Sequence, residues 1–184
     1  LLADCRRRRD RHKNFRPVQK FIHITDTHFV PPGNLLYGLN PIDRLALCVA
    51  DVNRNHADAA FVVVTGDLAH KGESDAYAAL KREFDKLAIP YHLLVGNHDD
   101  RENFRATFPQ ARFDENGFVQ YTFDMGEGVT AVCLDTNEPG KPWGTFCEKR
   151  GAWLKATLDR LGDKPVMIFI HHPPFRVRLK RMDD

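Results

Sequence analysis

Four short apolar runs of this chain each end in carboxylate, amide or imidazole side chains. The runs cover residues 21–25, 61–65, 91–95 and 166–170. Oxygen and imidazole nitrogen donors without a thiolate favour Mn²⁺, Fe, Zn²⁺ or a related ion. The pattern therefore predicts a metal site and a metal-dependent hydrolase. The polar groups that follow the runs are Asp26, His28, Asp67, Asn97, His98, His171 and His172.

The elements that must position these groups alternate along the chain. The four apolar runs predict buried strands, and continuous runs of this kind are typical of parallel sheets. Helices are predicted near residues 41–55, 73–88, 101–108 and 148–161, the last with Trp153, Leu154, Leu158 and Leu161 facing the core. Two alternating strands, 118–123 and 129–134, form a hairpin around 126–128. The fold class is α/β, in which ligands collect at the carboxyl ends of the strands.

Each polar group also has an ordinary structural explanation. Asp26 could cap the end of a strand, Asp67 could begin an Asx turn, and residues 97–99 could cap the following helix. Residues 171–172 could be a plain strand end before two prolines. Taken together these explanations weaken, because four strands would have to end in metal ligands by accident.

The remaining histidines do not share this pattern. None of them is assigned as a ligand, and His23 is expected to lie in the core or behind the ligands. The other four are expected to be structural or exposed to solvent. They are His12, His56, His70 and His92.

Composition favours one domain with a single core. The chain has 184 residues with 42% hydrophobic and 28% charged residues, and a net charge of +2. Residues 1–19 form a basic head that we expect to be disordered, and residues 20–184 form the domain. Without the head the charge is negative, so a nucleic-acid partner is not expected.

No apolar run is long enough to span a membrane. The four cysteines show no CxxC pairing and predict reduced thiols in a cytoplasmic protein.

The motifs as a set resemble those of a known family. They are Asp26-Thr27-His28, Gly66-Asp67, Gly96-Asn97-His98-Asp99 and His171-His172. In order and rough spacing they resemble the calcineurin-like metallophosphoesterases over residues 20–184. The closer similarity is to class III cyclic nucleotide phosphodiesterases, a group that includes bacterial glycerophosphodiesterases. The stretch Leu36-Tyr37-Gly38 resembles the glycerophosphodiesterase branch.

The resemblance implies a layered α/β/β/α sandwich with two divalent metal ions, Mn, Fe, Zn or Co. Asp26 and His28 would bind the first ion, Asp67 would bridge both, and Asn97 and His171 would bind the second. The expected reaction is hydrolysis of a small phosphodiester, a cyclic nucleotide or a glycerophosphodiester, by hydroxide that the two metals activate.

The resemblance also assigns roles at the substrate. His98, Asp67 and Asn97 are the catalytic candidates. His98 would contact the phosphate or protonate the leaving oxygen. The candidates for substrate binding are Asn97, His98, His28 and His172.

The family has a later Gly-His-x-His motif that supplies one more histidine to each metal. This sequence ends before such a motif, and we expect it to be a fragment of a longer protein. Two alternatives stay open. The first is a phosphomonoesterase, nucleotidase or nuclease of the same fold, and the second is an inactive metal-binding or scaffold protein. Homo-oligomer formation is also left open.

Overall fold

The computed structural model describes residues 20–178, which contain four helices and six strands. The predicted basic head therefore lies outside the described residues, and the division into head and domain stays a prediction. In chain order the elements are β1 (Ile22–Ile24), α1 (Pro41–Asn55), β2 (Val62–Thr65), α2 (Ser74–Phe84), β3 (Tyr91–Leu94), α3 (Arg101–Thr107), β4 (Tyr121–Gly126), β5 (Val129–Leu134), α4 (Glu148–Leu161) and β6 (Val166–Ile170).

The first sheet is parallel, in the order β1-β2-β3, and is covered on both faces. Val63 pairs with His92, whose ring stacks on Phe123 of the second sheet at 3.6 Å between centroids. Tyr91 pairs with Val62, and its ring stacks on Phe84 of α2 at 5.3 Å between centroids, on the opposite face of the sheet. All four residues of β2 are buried for this reason, as the apolar run predicts.

The second sheet has the order β4-β5-β6. The predicted hairpin is present, with β4 antiparallel to β5, and β6 then runs parallel to β5. Phe123 packs edge-on against Phe61 of the first sheet at 5.0 Å, and Phe169 packs against Phe21 at 5.8 Å. The two sheets thus share one core, with helices against the outer face of the first sheet, as in the predicted layered architecture.

Helix α1 forms where the sequence predicts it. Asn40 caps it by accepting a hydrogen bond from the Ile42 backbone N–H at 3.1 Å, and Pro41 occupies the first turn. Leu45, Val49 and Val52 form the buried stripe. The loop between β1 and α1 contains Asp26 and His28.

Two predicted elements are misplaced by three or more residues: α2 at its end and β4 at both ends. Helix α2 ends at Phe84 and does not reach residue 88, because the N–H groups of Lys86 and Leu87 bond to carbonyls only three residues back. Strand β4 begins at Tyr121 and not at residue 118. The reason is that Asp114 Oδ1 accepts hydrogen bonds from the backbone N–H groups of residues 116 and 118, which holds this segment in a turn.

The predictions of buried faces on α4 and β6 are also wrong. Strand β6 lies at the edge of its sheet, and Val166 and Ile168 are 37% and 46% exposed on the face away from the core. In α4 the residues Trp153, Leu154, Leu158 and Leu161 are only partly buried, while Arg150 and Thr157 are buried.

No helix among residues 20–178 is long and apolar enough to cross a membrane.

A matched pair of leucines tests the core. Leu80 is fully buried on α2, whereas Leu47 on α1 is 66% exposed. Leu80→Ala should lower the free energy of unfolding by about 2–5 kcal/mol, because it removes apolar contacts and leaves a cavity. Leu47→Ala should change it by less than about 0.5 kcal/mol. Urea titration of the intact protein measures both, and equal effects would contradict the packing described here.

Candidate metal centre

The loops that follow β1 and β2 run side by side and bring the first predicted ligands together. The Asp26 N–H donates to Gly66 O at 3.1 Å, and the His28 N–H donates to Asp67 O at 2.9 Å. These bonds continue the parallel pairing beyond the strands. They place Asp26 and His28 directly beside Asp67.

The backbone at all three of these ligands is left-handed. The φ angles are 56° at Asp26, 42° at His28 and 50° at Asp67. Residues other than glycine adopt this region at a cost of about 1–3 kcal/mol each, and such residues cluster at functional sites. The surrounding hydrogen bonds hold the strained turns in a shape that brings the three side chains together.

The carboxylate of Asp67 lies between imidazoles from different sheets. Its Oδ2 is 3.5 Å from His28 Nε2, and its Oδ1 is 3.4 Å from His171 Nε2. The backbone N–H of His98 also donates to Oδ1 at 3.0 Å. Asp26 Oδ1 lies 3.7 Å from the same His28 nitrogen. Each oxygen of Asp67 therefore faces a different imidazole, and its role as a bridging ligand stays a prediction.

The hydrogen bond of His171 indicates that a cation fits here. His171 Nδ1 lies 2.8 Å from the Thr65 carbonyl, an acceptor, so this nitrogen carries the proton. Nε2 is then the nitrogen that faces the Asp67 carboxylate, 3.4 Å from Oδ1, which is the position of a nitrogen that could bind an ion shared with Asp67. Histidine ligands typically donate their other N–H to a carbonyl in this way.

The donor set also suits a metal. Burial lowers the pKa of His28, an effect that the Asp67 charge opposes, and a lower pKa favours the neutral ring that binds metal. Two groups of three side chains have ligand atoms within 4.8 Å of one another, and together they hold most of the predicted ligands. The groups are Asp26, Asp67 and His171, and His28, His70 and His98.

Two glycines allow the loops to approach this closely. A Cβ on Gly66, whose φ is 105°, would lie 2.7 Å from His171 Nδ1 and from the Gly96 nitrogen. A Cβ on Gly96 would lie 2.7 Å from His171 Nε2 and would collide with Asp67 Oδ1. The space that a side chain would need is therefore the space in which the ligands converge.

His172 is buried behind Asn97. Its Nδ1 is 2.7 Å from the Thr136 hydroxyl, and its Nε2 is 3.2 Å from Asn97 Oδ1. Burial, with the charge of His171 next, lowers the pKa of His172 to about 4. An amide oxygen has two lone pairs, so Asn97 Oδ1 can meet His172 and still bind a cation. The arrangement orients Asn97, while the predicted substrate contact of His172 is untested.

His98 is accompanied by a histidine that the sequence did not single out. His98 Nδ1 donates to the His70 carbonyl at 2.6 Å, which leaves Nε2 free. The His70 ring stacks on the His98 ring at 5.1 Å, and both rings pack edge-on against His28. Residue 70 was expected to be structural or exposed. Its position three residues after Asp67, in the same loop, was the available signal.

Asp99 connects the loops that follow β2 and β3. Its carboxylate accepts hydrogen bonds from the backbone N–H groups of Leu68, Ala69 and Gly96 and from the Tyr77 hydroxyl. Burial raises the pKa of Asp99 to about 6, and these donors oppose the shift. Asp99 is therefore a support for the loops and not a helix cap.

The cap of α3 is the next residue. Asp100 accepts a hydrogen bond from the Asn103 N–H at 2.8 Å. The capping explanation for residues 97–99 is thus wrong, because the helix begins one residue later than it requires.

A second network connects the end of β5 with the same loop. Arg101 donates two hydrogen bonds of 2.7 Å to the fully buried Asp135. The Asn137 amide donates to Gly96 O at 2.6 Å and to Asp99 O at 2.8 Å. The sequence offered no indication of this role for Asn137, since the residue lies in a loop without a recognisable pattern.

His23 is not a core residue, because it is exposed at the free edge of the first sheet, on β1. Its Nε2 lies 2.8 Å from the Thr65 hydroxyl, and the Thr65 carbonyl accepts from His171. The alternative expectation, a position behind the ligands, agrees with these bonds.

A layered α/β fold with a carboxylate and imidazole centre at its strand ends defines a metal-dependent phosphoesterase type of architecture. Residues 19–183 match the family described as calcineurin-like phosphoesterase, and the chain belongs to this family. The resemblance of the motifs is thereby confirmed. Phosphoesterases of this family use divalent metal ions.

Curated relatives are bacterial phosphodiesterases. The chain is 47% identical over 167 residues to a probable cyclic nucleotide phosphodiesterase of Rhodopseudomonas palustris, covering 89% of this chain and 61% of the relative. It is 30% identical over 164 residues to a probable glycerophosphodiester phosphodiesterase GpdQ of Arcobacter nitrofigilis, covering 88% and 60%. The chain thus spans about three fifths of the length of the relatives it matches.

A solved structure shares the fold. Purple acid phosphatase PPD1 from yellow lupin (Lupinus luteus) seeds superposes with a TM-score of 0.51 at 15% identity, over 77% of this chain and 27% of that chain. The predicted fold class is confirmed by this similarity and by the family match.

Gly96→Ala tests the close approach of the loops. The new Cβ should displace the Asp67 carboxylate and lower the affinity for Mn²⁺ about tenfold or more. A Cβ on Gly151 of α4 would meet no atom within 4 Å, so Gly151→Ala is the matched control and should leave the affinity unchanged. Titration calorimetry of the intact protein with Mn²⁺ measures both variants. Unchanged affinity in Gly96→Ala would contradict a metal site at this position.

Proposed function

We propose that the intact protein is a metal-dependent phosphodiesterase that hydrolyses a small phosphodiester, a cyclic nucleotide or a glycerophosphodiester. Both substrate classes occur in the names of its curated relatives. The observation that carries the proposal is the position of the Asp67 carboxylate, 3.5 Å from His28 Nε2 and 3.4 Å from His171 Nε2. Ligands from both sheets meet at this one side chain.

The proposed metal ligands are divided by their position around Asp67. His28 lies on the Oδ2 side and His171 on the Oδ1 side, while Asp26 lies 3.7 Å from His28 and within 4.8 Å of the ligand atoms of both Asp67 and His171. Asn97 joins the second group because His172 holds its amide beside the site. Two bound divalent ions would neutralise charge on the phosphate and make a water molecule more acidic near neutral pH.

His98 is proposed to serve the leaving oxygen. Its Nδ1–H is held by the His70 carbonyl, so the ring orientation is set and Nε2 is the nitrogen available to substrate. A proton held at Nε2 can be donated to the oxygen that departs from phosphorus, as in general acid catalysis.

We propose cytoplasmic action for the protein. Cys48, Cys133 and Cys147 are free thiols among the described residues, which agrees with a reducing compartment. Exclusion of nucleic acid and formation of a homo-oligomer both stay predictions.

Metal removal tests the class of enzyme. Chelator treatment of the intact protein should abolish hydrolysis of bis(p-nitrophenyl) phosphate, and added Mn²⁺ should restore it. The reason is that the proposed hydroxide nucleophile would come from water activated by the two bound ions. Hydrolysis that survives chelation would contradict the proposal, and absence of hydrolysis with metal bound would favour the scaffold alternative.

His98→Gln tests the role at the leaving oxygen. The variant should retain Mn²⁺ yet lose about 10²–10⁴-fold in kcat, the usual contribution of a positioned acid or base. The loss should be smaller for a diester with a good leaving group, such as p-nitrophenolate, because such a group needs less protonation. His56→Gln, remote from the site at the end of α1, is the control. An equal loss for good and poor leaving groups would rule out the proton-donor role.

A further inference from the structure

A groove opens from the proposed metal ligands toward α1. It has a volume of about 360 Å³ and is lined by Asp26 and His28 at one end. Most of its remaining wall is apolar, including Phe29, Leu39 and Leu45. A ligand whose phosphate meets Asp26 and His28 would extend its organic part into this space. Small-molecule sites are typically apolar clefts of this size with a few polar groups that set orientation.

One wall is a tight turn that exposes apolar side chains. Leu36 and Leu39 exchange backbone hydrogen bonds of 2.8 and 2.9 Å, and the φ angles at Tyr37 and Gly38 are 50° and 79°. This is the geometry of a type I′ turn. Tyr37 at its tip is 90% exposed and Leu39 is 59% exposed. Large apolar groups exposed together beside a polar site indicate a binding surface.

The Tyr37 ring of this turn contacts His70, which in turn contacts His98, the proposed proton donor. The Tyr37 ring lies 6.4 Å from the His70 ring, which in turn stacks at 5.1 Å on His98. His70 thus connects the rim of the groove with the catalytic candidate. A planar group in the groove would therefore contact aromatic and apolar side chains on the wall nearest to His98.

The hydrogen-bonding groups of the groove are few. Arg44 lines it with an exposed guanidinium, and no described residue forms an ion pair or hydrogen bond with that side chain. Thr27 also lines it, but its hydroxyl already donates to Leu68 O. Burial raises the pKa of the Cys48 thiol, which keeps this wall uncharged. A polyol such as glycerol would leave its hydroxyls poorly satisfied here, whereas a planar base offers Arg44 a face on which to stack.

We propose that this groove binds the base of a nucleotide and thereby selects nucleotide diesters over glycerol diesters. The inference rests on the proposed function and names the substrate class of the same site. It assigns Leu39, Tyr37 and Arg44 as specificity-determining residues, none of which is a proposed metal ligand. It favours the cyclic nucleotide class of relative over the glycerophosphodiester class, the opposite of what the resemblance of Leu36-Tyr37-Gly38 implies.

Two leucines of the same loop provide a matched test in the intact protein. Leu39 lines the groove, whereas Leu35 is comparably exposed at 63% and does not. The measurement is the ratio of kcat/KM for cyclic AMP to kcat/KM for glycerophosphoethanolamine, with Mn²⁺ present. Leu39→Ser should lower this ratio about tenfold, mainly through KM for cyclic AMP, since one apolar contact of this kind is worth that much discrimination. Leu35→Ser should leave it unchanged.

Binding of products separates failure of this inference from failure of the proposed function. Wild-type protein with Mn²⁺ should bind AMP at least tenfold more tightly than glycerol phosphate in titration calorimetry, and Leu39→Ser should remove that preference. If neither diester is hydrolysed, the proposed function fails, while the comparison of AMP with glycerol phosphate still tests whether the groove binds a base. Equal affinities in the wild type, or equal effects of Leu39→Ser and Leu35→Ser, would overturn the inference.

Discussion

The arrangement of this molecule depends on one buried carboxylate between two imidazoles. Asp67 is 4% exposed and cannot reach bulk water to solvate its charge. Ring nitrogens of its neighbours His28 and His171 lie 3.5 and 3.4 Å from its two oxygens, and the backbone N–H of His98 donates a hydrogen bond to it. A buried charge of this kind needs compensation, which divalent ions supply. The left-handed turns and the two glycines are the structural conditions for this crowding.

The supports around the carboxylate come from both layers of the sandwich. Asp99 gathers the backbone of the loops that follow β2 and β3, and Asn137 holds the same region from the end of β5. The Thr65 carbonyl orients His171, and Thr136 sets the ring of His172. Each group that faces the centre is therefore positioned by a second group that does not. Precise placement of ligands depends on such supporting bonds.

The sequence predicted which polar groups converge more reliably than it predicted their supports, for a physical reason. The valine run of β2 predicts a strand covered on both faces, and strand order then brings Asp26, Asp67 and His171 to one edge. Asn137 and His70 act through backbone carbonyls and ring stacking, which leave no periodic signal in the sequence. The prediction that residues 166–170 form a buried strand failed at Ile168, because an apolar run does not reveal whether its strand is central or at an edge. The turn at residue 114 displaced β4 because one side chain competes locally with strand pairing.

The proposed ligands come from two separate sheets, which has a consequence for folding. The first sheet supplies Asp26, His28 and Asp67, while His171 follows β6 of the second. An ion that binds only when both sheets are packed together would stabilise the packed state relative to the unfolded chain. By mass action, its free concentration relative to its dissociation constant then sets part of the resistance to unfolding. A fall in the free concentration of such an ion would then lower the free energy of unfolding.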